Sequence, residues 1–306
     1  MKGSQKATPS MLARGRRIEI IGVPLDLGQD ERGTDVGPAA IRYAKLRERL
    51  RAEGHEVVDL GNISVPPAAM VDEGSRIRVI GEVARDLRVR TQEVLQRGAL
   101  PLVLGGDHSV AIGSVAASAA CGSTGLLWVD AHGDFNTPQT SLSGNVHGMP
   151  LAVILGKGDE LLLSVGEGGP RLSPRDVVIV GVRQLDRSER RALKDAGVQV
   201  FSMRDIDERG MSAVANEALG ALDHCEHLHL SLDIDVMDPA EAPGVATPVR
   251  GGVTYRELQL LMEKIADTEA LSAMDIVEVN PMLDVRNQTA KTAVDLVLSA
   301  LGQSIF

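Results

Sequence analysis

Asp130, His132 and Asp134 stand at alternate positions of Trp128-Val129-Asp130-Ala131-His132-Gly133-Asp134, directly after the apolar run 126–129. In an extended chain alternate residues share one face, so Asp130 and His132 point the same way, and Asp134 follows where the turn allows it. Taken alone, an Asp-x-His pair fits a solvated loop as well as a metal edge. Two further stretches decide the matter. Leu228-His229-Leu230-Ser231-Leu232-Asp233-Ile234-Asp235 alternates apolar residues and ends in two carboxylates, and Leu102-Val103-Leu104-Gly105-Gly106-Asp107-His108 is an apolar run that breaks into glycines and then a histidine. Three strands that each end in hard ligands imply one coordination site, because ligands of an open α/β sheet gather where the carboxyl ends of its strands converge.

The set His108, Asp130, His132, Asp134, Asp233 and Asp235 holds two imidazoles, four carboxylates and no thiolate. Four negative charges balance two divalent cations, whereas one cation would leave the site strongly anionic. Oxygen-rich ligation with some imidazole suits Mn²⁺ better than structural zinc, which prefers closed Cys/His cages. Two such ions roughly 3.5–4 Å apart hold a bridging water as hydroxide near neutral pH and turn it toward an electrophilic carbon, so the expected chemistry is hydrolysis. Asp107, beside a ligand, reads equally as a ligand or as a hydrogen-bond partner of one.

Periodicity and punctuation place the elements that must carry these groups. Strands are expected at 17–23, 56–60, 100–104, 177–182, 199–202, 228–233 and 272–279, besides the one ending at Asp130. Between them, helical patterns occupy 39–51, opened by Gly37-Pro38, then 75–98, 110–120, 189–196 and 211–222. Thr254-Tyr255-Arg256-Glu257 is a capping box opening a helix through 266, and Asn287 is expected to cap a last helix ending before Gly302. The stretches 135–145 and 239–248 are loops, and the Gly-rich stretch 156–174, with its patch Leu161-Leu162-Leu163, has no assigned element. Alternating strands and helices predict an α/β fold with a mostly parallel sheet covered on both faces. Residues 17–306 show no linker and read as a single domain, with residues 1–16 a mobile tail.

Composition narrows the function classes. Six aromatic residues in 306 leave few stacking platforms for single-stranded nucleic acid, and a net charge of −10 opposes a phosphate backbone. A cationic substrate is compatible. Cys121 and Cys225 lack C-x-x-C spacing and read as small buried residues. His55, His224 and His227 read as surface residues, and His229, alternating on its strand, as buried or partnered without chemical duty. With no signal-peptide core and no membrane-length apolar run, a cytoplasmic protein without membrane contact is expected.

The motifs Gly105-Gly106-Asp107-His108-Ser109, Asp130-Ala131-His132-Gly133-Asp134, Ser143-Gly144-Asn145-Val146-His147-Gly148-Met149-Pro150, Ser231-Leu232-Asp233-Ile234-Asp235 and Glu278-Val279-Asn280-Pro281 resemble those of the ureohydrolase family, and specifically of its arginase branch. Residues 29–43 and 242–252 share the resemblance. It implies a three-layer α/β/α fold with an eight-stranded parallel sheet, a Mn²⁺ pair in each chain, hydrolysis of L-arginine to L-ornithine and urea, and a homo-trimer or homo-hexamer. It also implies roles. The six residues above would hold the metals, and Asp134 would in addition hydrogen-bond the hydroxide. His147 would shuttle protons, Glu278 would pair with the guanidinium, Asn136 and Ser143 would receive the α-carboxylate, and Asp186 would lie near the α-amino group. Gln184 departs from the pattern, standing where many arginases carry a second carboxylate near that amino group. A resonance-stabilised, permanently charged guanidinium is a poor electrophile, so a metal-held hydroxide and an anchoring anion answer its chemistry together.

Three other readings compete: agmatinase or a guanidino-acid hydrolase with the same metals, the related one-metal zinc deacetylases, and a catalytically silent metal-binding assembly protein. Six complete ligands speak against the second, and the presence of shuttle and anchor against the third. The loop from 136 to 147 separates the first from arginase.

Overall fold

A computed structural model describes residues 15–166 and 172–304. Eight strands form one sheet: β1 Arg17–Gly22, β2 Glu56–Asn62, β3 Leu100–Leu104, β4 Thr124–Val129, β5 Val177–Val182, β6 Gln199–Ser202, β7 His227–Asp233 and β8 Leu271–Val277. Their spatial order is β2-β1-β3-β8-β7-β4-β5-β6, and every pairing is parallel. All residues of β3, β4 and β5 are buried, as expected of strands covered on both faces. Alternate side chains enter opposite layers: Leu127 and Val129 join Leu230, Leu232 and Met262 on one face, while Leu126 and Trp128 join Val115 and Leu151 on the other. Helices Met211–Ala221, Tyr255–Thr268 and Gln288–Ala300 cover the first face, and Arg76–Gln96, Ala111–Cys121 and Arg187–Ala196 the second. The result is the expected three-layer α/β/α architecture.

The strand order assembles the site. Chain order runs β3, β4, β7, β8, yet these four lie side by side as β3-β8-β7-β4, so residues leaving their carboxyl ends become neighbours. The turn after β3 is wedged tightly against the loop that follows β1. A Cβ at Gly106 would lie 1.7 Å from the Leu25 carbonyl oxygen, so only glycine fits there. Asp107 N donates to Leu25 O at 2.7 Å, and Glu278 N donates to Gly106 O at 2.8 Å, which couples the ends of β1, β3 and β8.

Several local expectations are corrected. The helix expected over 39–51 is two, Gly37–Tyr43 and Leu46–Ala52, separated where Lys45 takes a left-handed conformation at φ 65°. Asn287 does not cap the final helix through its side chain. It is itself left-handed and donates to Ala40 O at 3.0 Å, while Asp284 accepts the Thr289 N–H at 2.9 Å. A further helix, Met203–Arg209, is started by a Ser202–Asp205 capping box. The Leu161 patch lies in a short helix, Glu160–Leu163, capped by Asp159 and followed by a 3-10 turn, Ser164–Gly166; residues 167–171 of that stretch lie outside the described residues, as do 1–14 of the expected tail. The Thr254–Glu257 capping box is present as expected. His55 is buried rather than on the surface, and Cys121 is exposed rather than buried. No helix among the described residues is long and apolar enough to cross a membrane.

Candidate metal centre and the cavity beside it

The six expected ligands converge. His108 opens the 3-10 turn His108–Val110 after β3, Asp130 directly follows β4, and Asp233 closes β7, with Asp235 in the turn Ile234–Val236 beyond it. Around His108 Nδ1 lie Asp134 Oδ2 at 3.1 Å, Asp233 Oδ2 at 3.2 Å and Asp130 Oδ2 at 3.3 Å. His132 Nδ1 faces Asp235 Oδ2 at 3.0 Å and Asp130 Oδ1 at 3.4 Å. Asp130 thus turns one oxygen toward each imidazole, as a carboxylate shared by two centres would.

The fit to cations rests on His108. Its Nδ1 is buried and has no well-formed hydrogen bond, although three carboxylate oxygens surround it. A ring nitrogen carries at most one proton, so it cannot satisfy three acceptors; a cation between the four atoms can. The electrostatics agree. Burial by itself lowers the pKa of His108 and His132, but the surrounding carboxylates overcome it and hold both imidazoles well above their usual value. Burial, with Asp130 nearby, pushes Asp134 up to about 7, and burial with Asp235 raises Asp233. Asp130 stays well below its usual range because both imidazoles outweigh its burial. The cluster is short of positive charge and takes it as protons.

Neighbouring groups hold these ligands in place. Trp128 stacks on His108 with ring centroids 3.9 Å apart and planes 9° from parallel, and its indole N–H donates to Asp130 Oδ2 at 2.8 Å. Ser231 Oγ lies 2.9 Å from His108 Nε2, fixing the ring nitrogen that faces away from the carboxylates. Thr247 Oγ1 and Ala131 N both donate to Asp235. Behind the cluster the Arg183 guanidinium donates to the carbonyls of Asp235, Val236, Met237 and Val249 at 2.7–3.1 Å, tying the loop after β7 into position. Asp107 accepts the N–H groups of Gly28 and Ser109 and is not brought among the ligands.

Beside the cluster opens a cavity of about 130 Å³ lined by His132, Asp134, Asn136, His147, Asp186 and Glu189 among others. Carboxylates dominate its wall, which favours a cationic occupant. Asn136 Nδ2 approaches Asp186 Oδ2 at 3.4 Å. Glu189, which the sequence placed only in a helix, accepts the N–H of Phe135 at 2.9 Å and of Asp186 at 3.3 Å, joining the loop after Asp134 to the helix Arg187–Ala196. The spacing Asp186-x-x-Glu189 is that of a capping box and announces this contact; Arg183 and Thr247 carry no comparable local signal. Trp128 is two residues before Asp130, so the strand period puts it on the ligand face. Gln184 is exposed at the cavity. Ser143 is exposed, is not among the lining residues, and accepts the Asn145 N–H at 3.2 Å.

His147 is held by Glu278. Their Nδ1 and Oε1 are 3.0 Å apart, and Glu278 also accepts the His108 backbone N–H at 2.8 Å and the Gln29 amide at 3.2 Å. Glu278 is 1% exposed and, like Asp134, takes a left-handed backbone conformation, at φ 63° and 48° respectively. Such positions cost of order 1–3 kcal/mol and persist where surrounding contacts impose them, typically at functional sites. Burial lowers the His147 pKa, but the hydrogen bond and charge of Glu278 reverse this and raise it to about 9.

The family model described as "Arginase family" matches residues 16–302. The arginase of Bacillus subtilis (strain 168) is 47% identical over 293 residues, covering 95% of this chain and 99% of that protein. Among solved structures, arginase from Bacillus caldovelox superposes with a TM-score of 0.92 at 45% identity, and arginase from Bacillus cereus with 0.90 at 44%. Each comparison covers 95% of this chain and all of the other.

The His147–Glu278 contact predicts a pH dependence of folding in the metal-free protein. A histidine whose pKa rises from 6.5 to about 9 on folding stabilises the native state fully below pH 6.5 and loses that contribution as pH climbs through 9. Thermal melts of metal-free wild type and His147→Asn should therefore differ most below pH 6.5 and converge above 9. A gap that stays constant or widens with pH would mean that Glu278 does not hold His147 as a cation.

Proposed function

The chain belongs to the arginase family of hydrolases, and from that premise we propose that it cleaves the guanidino group of L-arginine to L-ornithine and urea, using two Mn²⁺ ions per chain. The observation that carries the metal count is Asp130, one oxygen toward the His108 group and the other toward the His132 group. His108, Asp130, Asp134 and Asp233 would hold one ion, and Asp130, His132 and Asp235 the other. A pair of divalent cations there supplies a water made nucleophilic near neutral pH.

The chain's own groups account for the remaining chemistry. Asp134, which both faces His108 and lines the cavity, would accept a hydrogen bond from the attacking water. The departing amine needs a proton, and His147 supplies it: with Nδ1 tied to Glu278, Nε2 is the nitrogen left to exchange a proton with the cavity. Glu278, whose Oε1 holds His147 and the His108 N–H, would pair with the guanidinium through Oε2, to which the Gln29 amide donates. Asn136 on the cavity wall and Ser143 in the following loop would receive the α-carboxylate, and Asp186 the α-amino group. We read residues 17–306 as one catalytic domain, working as a homo-trimer or homo-hexamer in the cytoplasm.

Three outcomes are expected. Asp235→Ala should lower bound metal and nearly abolish turnover, since removal of one anionic ligand unbalances the set; full turnover with one metal per chain would refute the binuclear reading. His147→Asn should slow the metal-loaded enzyme by roughly 10²-fold with metal content retained, and metal loss would make it a ligand instead. A site built for the α-carboxylate leaves donors unpaired when agmatine binds, a mismatch worth on the order of 10⁴-fold in kcat/KM. Equal use of agmatine with the metals saturated would replace arginase activity by agmatinase activity.

A further inference from the structure

A second group of metal-competent side chains lies at the opposite end of the sheet. Among the described residues three such clusters occur; two are the halves of the centre described above, and the third is Asp176, His224 and Cys225. One donor atom from each lies within 4.8 Å of the other two. Asp176 ends the 3-10 turn Pro174–Asp176 immediately before β5, and His224 and Cys225 lie in the turn just before β7. The catalytic ligands leave the carboxyl ends of the strands. The two clusters are thus separated by the six residues of β5, roughly 20 Å at about 3.3 Å per residue.

We propose that Asp176, His224 and Cys225 form a binding site for a borderline transition-metal dication such as Zn²⁺ or Co²⁺, distinct from the catalytic pair. Local structure presents the donors together. Asp176 Oδ2 is occupied by the Ser173 N–H and hydroxyl at 3.0 and 2.6 Å, which fixes the carboxylate and turns Oδ1 toward His224 Nε2 at 2.9 Å, with the exposed Arg175 Nε 3.5 Å away. The Cys225 N–H donates to Leu222 O at 3.0 Å, holding the turn that carries both His224 and Cys225. An ordinary surface Asp–His pair explains the 2.9 Å contact; the Cys225 thiol, which also hydrogen-bonds the Ser123 side chain, brings a third, softer donor within 4.8 Å of the other two. The His224 side chain is 39% exposed, so a solvent ion reaches the site and water completes a tetrahedron of one sulfur, one nitrogen and one carboxylate oxygen.

Donor chemistry separates this site from the catalytic one. Thiolate with imidazole selects zinc-like ions, whereas the oxygen-rich catalytic set favours harder ones. Bound there, the ion would bridge the starts of β5 and β7, which flank β4 in the sheet. It acts as a staple on the face away from the chemistry.

Co²⁺ titrated into the Mn²⁺-loaded holoenzyme provides the test, because thiolate ligation of Co²⁺ produces a near-ultraviolet charge-transfer band that ligands without sulfur cannot. One equivalent of this band is expected. It should vanish in Cys225→Ser, persist in Cys121→Ser, and require at least about tenfold more Co²⁺ in His224→Ala and Asp176→Asn. All four variants should keep the wild-type kcat/KM. Absence of the band in wild type, its loss in Cys121→Ser, or an unchanged Co²⁺ affinity in His224→Ala would overturn the proposal.

Discussion

Four carboxylates buried around two imidazoles repel one another strongly, and most of what surrounds them answers that repulsion. At an effective dielectric of about 20, two unit charges 4 Å apart interact by about 4 kcal/mol, comparable to a large share of a domain's net stability. The protein meets this partly with dipoles: the Trp128 indole, the Thr247 hydroxyl and the backbone N–H groups of Ala131, His132 and Asp235 all point at the acids. It meets it partly with the Arg183 guanidinium behind them. None of these closes the deficit around His108 Nδ1, where three anionic oxygens converge on one nitrogen. Only mobile positive charge does, as protons or as metal ions, and the two compete for the same atoms.

The cavity extends the same anionic field outward. Asp186 and Glu189 belong to a helix start that is itself stabilised by carboxylates near its N-terminus, so the charges that suit a cationic substrate also cap a helix. Glu278 likewise serves two ends: it positions His147 and receives the backbone N–H of His108, linking the imidazole beside the cavity to a candidate metal ligand. A fold that uses each acid twice leaves little room for substitution at these positions.

What could be read from the sequence was what depends on short-range periodicity. The eight strands were legible as short apolar or alternating runs, and the six candidate ligands as hard donors at the ends of three of them, because a strand's period of two fixes which side chains share a face. The helix break at Lys45 escaped, since lysine does not announce a positive φ; Asn287, a residue type that tolerates one, was read as a side-chain cap, and its amide goes instead to Ala40 O across the fold. Arg183 and Thr247 were invisible for the same reason: their partners are 12 to 66 residues away. Ser143 was named through resemblance alone; it lies exposed in a turn and outside the cavity wall.

The strand order also governs time. β3 and β4 are synthesised early but do not touch; the two places between them belong to β8 and β7, the last strands made. A nascent chain therefore carries a split sheet with two exposed inner edges, apolar and ready to pair with whatever else is at hand. Asp130 after β4 and His108 after β3 are joined through one continuous sheet only once β8, Leu271–Val277, has been made. Closure depends on contacts between residues far apart in the chain, which makes it slow. Such a molecule cannot begin work half-made, and its period of greatest vulnerability to aggregation falls immediately before completion.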